Sequence, residues 1–113
     1  MADINPLLEL MEKLRDKDKG CPWDIKQDHY SIAHCSIEEA YELVAAIIKN
    51  DQENIKEELG DVLLQVIFHS QIAKENHAFD FNDVVEVLSK KLITRHPNVF
   101  DPDFDLKISA DEQ

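Results

Sequence analysis

The chain is short of the residues that break and turn a backbone, with two glycines and four prolines in 113 residues. Strands joined by tight turns need such residues at frequent intervals, so a turn-rich β-sandwich and a low-complexity chain are both excluded. Basic side chains are scarce as well, 12 against 24 acidic ones, for a formal net charge of −12. A surface of that sign repels nucleic acid and anionic membrane alike, and neither is expected as a partner. No charged start followed by an apolar run reads as a signal peptide, and no apolar stretch approaches the roughly 20 residues that span a bilayer. A cytoplasmic location is the expectation. Tryptophan occurs once, at Trp23, and cysteine twice, at Cys21 and Cys35. Without zinc-type spacing, these cysteines are expected as free thiols and not as a disulfide or a metal site.

What is present points to helices. Hydrophobic residues make up 43% of the sequence, enough for one globular core, and independent domains of about 100 to 150 residues leave room for one only. Leu7, Leu8, Leu10, Met11 and Leu14 form a helical stripe over residues 5 to 16, with Asn5 and Pro6 as the N-cap and first-turn pair. Residues 16 to 28 carry breakers without an apolar period and read as a loop. Ile37, Tyr41, Val44 and Ile48 recur with helical spacing over residues 30 to 49. Ile55, Leu59, Val62, Leu63, Val66 and Ile67 mark the most periodic segment, residues 52 to 76. A further helix over residues 81 to 95 carries Val84, Val85, Val87, Leu88 and Leu92, and Pro97 stops it. The domain spans residues 1 to 100, and the acidic stretch 101 to 113 reads as a mobile tail. Four amphipathic helices with short connections imply an all-α, four-helix bundle-like subunit. So small a core is expected to be completed by dimerisation.

The chemistry lies in two acid motifs. Glu38-Glu39-Ala40-Tyr41-Glu42 falls on the second helix and Glu58-Leu59-Gly60-Asp61 on the third. At about 100° per residue, Glu39 and Glu42 sit one turn apart on one side, and so do Glu58 and Asp61. If the helices pack antiparallel, two repelling pairs meet at the rim of the core, which costs stability unless a cation neutralises them. Oxygen-only donors suit Mg²⁺. Acidic pairs also make ordinary solvated faces, and either motif alone is weak. Gly60, inside the best helix, suggests close approach of another helix or a ligand.

These motifs, together with Leu14-Arg15-Asp16, Gly20-Cys21-Pro22-Trp23-Asp24 with Gln27, Phe79-Asp80-Phe81-Asn82-Asp83, and Lys91-Leu92 with Arg95-His96-Pro97 before Val99-Phe100, resemble the MazG family of all-α nucleoside triphosphate pyrophosphatases. The likeness covers about residues 7 to 100, and the chain resembles the N-terminal copy of the proteins that carry two such domains in tandem. The resemblance implies Mg²⁺, with Mn²⁺ as a substitute, on Glu39, Glu42, Glu58 and Asp61, and Glu38 as an accessory acid that orients or activates water. It implies a nucleoside triphosphate substrate, hydrolysed to monophosphate and pyrophosphate; the size of the core, for its part, leads to the expectation of a homodimer or a higher assembly. The alternative is a regulatory bundle that binds metal and nucleotide with weak turnover or none. A carboxylate-bridged di-iron bundle needs Glu-x-x-His where this chain has Glu-x-x-Asp.

Lys91 and Arg95, four apart on one helix face, suit β and γ phosphates as point charge and fork, and equally suit the last turn of a helix as dipole-compensating cations. Trp23 reads either as a base-stacking platform or as a staple closing its loop on the bundle. His69 next to a helix core is expected as a packed residue, and His96 before Pro97 as a helix cap or a phosphate contact.

Overall fold

The computed structural model describes residues 2–103, and among them no strand occurs. Six helices follow one another: α1 Asn5–Leu14, α2 Pro22–Ile25, α3 His29–Ile48, α4 Gln52–Glu75, α5 Phe81–Arg95 and α6 Pro97–Phe100. The four longer ones match the helical periods of the sequence to within one or two residues. Residues 16 to 28 differ from the expected loop, because Pro22, pre-set in φ and lacking an N–H that the first turn has no use for, opens the single turn α2. Pro97 both ends α5 and opens α6 in the same way. Asn5 is not the cap of α1 either: Ile4 holds that position, and the Asp3 carboxylate accepts from the Asn5 N–H at 3.0 Å.

Aspartates start the three long helices. Asp28 accepts from Ser31 N at 2.8 Å while Ser31 Oγ accepts from Asp28 N at 2.9 Å, a reciprocal box at the start of α3. Asp80 and Asp83 repeat that exchange before α5, and Asp51 accepts from Asn54 N before α4. Each such cap contributes about 1 kcal/mol over alanine. Left-handed residues end α3 and α4: Asn50 at φ 55° and His77 at φ 59°. Beyond them, Asp51 N and Ala78 N reach back to the carbonyls of Ala46 and Ala73 and satisfy the orphan acceptors of the last turn.

The chain divides into two compact units, Met1–Phe79 and Asp80–Gln113. The first contains the buried core: Met11 of α1, Ile32 and Ala46 of α3, and Ile67, Phe68, Ile72 and Ala73 of α4. Ser70, buried among them, gives its hydroxyl proton to Val66 O at 2.7 Å. In this unit α4 packs on both α3 and α1. In the second unit α5 packs on α6, and none of its described residues is buried. Of the expected acidic tail, residues 104–113 lie outside the described residues.

Residues 16 to 28 are fastened by Arg15. Its Nη1 donates to Asp24 O at 2.6 Å and Gln27 O at 3.1 Å, its Nε and Nη2 clasp both oxygens of Glu75, and its guanidinium lies 5.5 Å from the Phe68 ring centre. Gly20 is required by packing, since a Cβ there would run into the Leu14 and Asp16 carbonyls. Gly60, where the sequence suggests close approach, meets nothing within 4 Å. Its side of α4 is open among the described residues.

Candidate metal centre

Only Lys49, Asn50 and Asp51 separate α3 from α4, so the two helices turn back on each other. Their pairings run in opposite directions along the chain: His29 meets His69, and Glu39 meets Glu58 and Asp61. On α3 the seam facing α4 carries Ile32, Glu39 and Ala46, each seven residues from the next. On α4, Glu58, Gln65 and Ile72 repeat at the same interval. Two of the acids therefore occupy places that packing alone would fill with apolar side chains.

One carboxylate oxygen from each of Glu39, Glu58 and Asp61 lies within 4.8 Å of the other two. Glu39 and Glu58 are half-buried and Asp61 is exposed. Partial burial raises the Glu39 carboxyl above its usual range, and the charges of Asp61, Glu42 and Glu38 add to the rise. Glu58 is raised in the same way, first by desolvation and then by Asp61, Glu39, Glu42 and Glu57. Glu42 thus acts on the cluster through its charge, although it is not drawn into the close set. The helix explains this: Glu42 is rotated about 60° from Glu39, and Glu38 about 100° to the same side, so both turn away from the seam.

Gln65 marks the inner wall. It follows Asp61 by one turn of α4, and its Oε1 is buried with no hydrogen-bond partner among the described residues. Three crowded carboxylates, with an unpartnered acceptor one helical turn further along α4, fit a hard divalent cation and its bound waters, which bring positive charge and O–H donors together. Further along the seam, His29 Nδ1 and His69 Nδ1 are 2.7 Å apart, with the rings stacked at 5.0 Å between centres. One ring must present a lone pair there and the other an N–H. Burial, then the charge of His29, lowers the His69 pKa. The sequence analysis missed His29, Gln65 and the reach of Arg15; polar residues at seven-residue spacing on the α4 seam are the signal for Gln65.

The remaining candidates are carried by helices other than α3 and α4. Trp23, on α2, sets its ring edge against Phe68 at 6.4 Å between centres and is 58% exposed, so it staples residues 16 to 28 to α4 while leaving a free face. Lys91 and Arg95 stand exposed on α5, in the second unit. His96 caps α5, with Nδ1 2.6 Å from Leu92 O.

The sequence of this hairpin is shared widely. Residues 27–100 match the MazG nucleotide pyrophosphohydrolase domain. The nucleoside triphosphate pyrophosphohydrolase/pyrophosphatase MazG of Thermotoga maritima is 55% identical over 94 residues, which is 83% of this chain and 36% of that protein. A nucleoside triphosphate pyrophosphohydrolase of Escherichia coli K12 is 47% identical over 100 residues, 88% of this chain and 38% of its own length. One from Mycolicibacterium smegmatis is 42% identical over 106 residues, 92% and 31% respectively. The chain thus spans about a third of the length of these three relatives. With its two acid motifs brought together on the α3–α4 hairpin, it belongs to the MazG nucleotide pyrophosphohydrolase domain family.

Proposed function

We propose that the chain hydrolyses nucleoside triphosphates to the monophosphate and pyrophosphate, with Mg²⁺, or Mn²⁺ in its place, at the Glu39, Glu58 and Asp61 cluster. The observation that carries this reading is the convergence of those three carboxylates, in a chain 47% to 55% identical to proteins named for that activity. A cation bound there supplies neutralising charge for the triphosphate and a lowered pKa for an attacking water. Glu39, Glu58 and Asp61 hold it, and a change of side-chain rotamer brings Glu42 in as a fourth oxygen donor. Glu38, exposed and next to Glu39 along α3, serves as the accessory acid that orients or activates water. Lys91 and Arg95 hold the β and γ phosphates, and the free face of Trp23 stacks on the base.

The same reading takes the subunit as a four-helix bundle completed by a second copy. Ile37, Tyr41 and Ile48, at 62%, 71% and 78% exposure, form an apolar stripe along α3 that water disfavours. A homodimer covers it, which light scattering tests. No helix among the described residues is long and apolar enough to cross a membrane, consistent with work in the cytoplasm.

Release of pyrophosphate from a panel of nucleoside triphosphates with Mg²⁺ tests the activity. Since the chain spans only part of its relatives, the competing reading is a bundle that binds nucleotide and metal without turnover. Nucleotide affinity that needs Mg²⁺, with no pyrophosphate formed, would decide for it.

A further inference from the structure

Outside the acid cluster, one other set of metal-type donors converges among the described residues: His34, Cys35 and Glu38, all on α3. One ligand atom of each lies within 4.8 Å of the other two. The helix makes the set compact. Glu38 is one turn beyond His34 and, at about 100° per residue, projects between the directions of His34 and Cys35. His34 and Glu38 are exposed and Cys35 is half-buried and in no disulfide, so the set opens to solvent with the thiol at its base.

The distance between the softer two donors is informative. Cys35 Sγ and His34 Nε2 are 3.6 Å apart. Tetrahedral zinc with sulfur at about 2.3 Å and nitrogen at about 2.05 Å places those two atoms about 3.6 Å from each other. The pair therefore already spans one edge of a zinc tetrahedron. The Glu38 carboxylate needs only a rotamer change to complete a face, with water at the open corner. The donor chemistry separates this site from the first one. Thiolate, imidazole and carboxylate together favour a borderline-soft cation, whereas Glu39, Glu58 and Asp61 offer oxygen alone.

We propose that His34 Nε2, Cys35 Sγ and a Glu38 oxygen form a second, solvent-open site for a thiophilic divalent cation, Zn²⁺ in the first place, which shares Glu38 with the accessory-acid role proposed above. Binding replaces the Cys35 thiol proton, which leaves to solvent, and uses the neutral imidazole of His34. The site stands on these three residues alone and does not depend on turnover of nucleotide. Cysteine spacing hides it, because a single cysteine supplies the sulfur and its partners are neighbours on the same helix.

Cobalt is the probe, since a thiolate ligand gives Co²⁺ a near-ultraviolet charge-transfer band that oxygen ligands do not. Titration of the whole chain with Co²⁺ in excess Mg²⁺ is expected to develop that band to one ion per chain, and Zn²⁺ is expected to abolish it. Cys35→Ser removes the band, Cys21→Ser keeps it, and Glu58→Gln keeps it too, which separates this site from the acid cluster. His34 is exposed, so His34→Gln leaves the fold intact. It weakens Co²⁺ by more than the about 10- to 100-fold that outer-shell partners of a metal carry. Absence of the band in the unaltered chain, its survival in Cys35→Ser, or unchanged affinity in His34→Gln overturns the proposal.

Discussion

Arg15 and Glu75 meet in a two-point ion pair, Nε to Oε2 and Nη2 to Oε1 at 2.8 Å each, although 60 residues separate them along the chain. The arginine side chain is almost fully buried and spends its remaining donor on two carbonyls of residues 16 to 28. Its fork therefore holds three segments together, the end of α1, the end of α4 and the α2 turn between them.

Arg15→Ala is expected to lower unfolding stability by about 2 to 4 kcal/mol, because it takes a charged donor from the Asp24 and Gln27 carbonyls as well as breaking the pair. Arg15→Lys should restore little of this, since an ammonium cannot reproduce the planar fork. Urea denaturation of both variants measures it, and lysine behaving like arginine would show that charge alone matters. Arg15 also holds the Glu75 pKa below its usual value. The stabilisation that follows is present above the ordinary carboxyl range and is lost as pH falls through the lowered folded pKa.

The acid cluster carries its own signature. The raised pKa values of Glu39 and Glu58 mean that the metal-free fold binds more protons than the unfolded chain, so its stability falls as pH rises from about 4.5 through the raised values. Mg²⁺ should reverse that loss, adding about 2.7 kcal/mol of stability at a hundredfold excess over Kd and so raising the melting temperature. Glu58→Gln is expected to be no less stable in EDTA, yet to lose most of the Mg²⁺ shift and the pyrophosphate release. Glu12→Gln, which breaks only the exposed pair with Lys74, is the control. Equal responses of the two variants in calorimetry would dissolve the site.

His69 predicts a second pH dependence, of opposite sign. Its folded pKa lies below 6.5, so the unfolded chain takes up the extra proton as pH drops. The contribution of the neutral His69 ring is complete above about pH 6.5 and is lost between 6.5 and the lowered folded value. His69→Gln should flatten the stability profile in that window while leaving helicity unchanged at pH 8. An unaltered profile by denaturation at stepped pH would refute the coupling.

Lys91→Ala and Arg95→Ala address the second unit. If these cations hold phosphates, each loses about 1.5 to 3 kcal/mol of charged hydrogen bonding, roughly 10- to 150-fold in kcat/KM, while Mg²⁺ affinity without nucleotide stays the same. Unchanged kinetics in both would return them to service of the α5 dipole.

How much of this was legible in the sequence depends on period and direction. The long helices were readable because Leu59, Val62, Leu63 and Val66 on α4, or Leu7, Leu10, Met11 and Leu14 on α1, repeat over several turns. The four residues of α2 complete only one turn and cannot show a period; Pro22 was the available clue. Spacing paired Glu39 with Glu42 and Glu58 with Asp61, and the resemblance made all four a ligand set; the close cluster holds Glu39, Glu58 and Asp61. Glu42 shares their motif, but its direction relative to the seam depends on how α3 is rotated against α4, which spacing leaves open. The two glycines show the same limit: the sequence pointed to close approach at Gly60, while Gly20 is the one that packing requires.

The three-residue link through Asn50 has a kinetic meaning. Glu39, Glu58 and Asp61 all belong to one hairpin, so bringing them together closes a short loop, and closure entropy is small compared with that for Arg15 and Glu75. The metal donors sit in the part of the molecule whose contacts are most local, and they can assemble before α1 arrives. A circular permutant opened at Asn50 would turn that short closure into a long one, and slower refolding to the same final helix content is its expected trace.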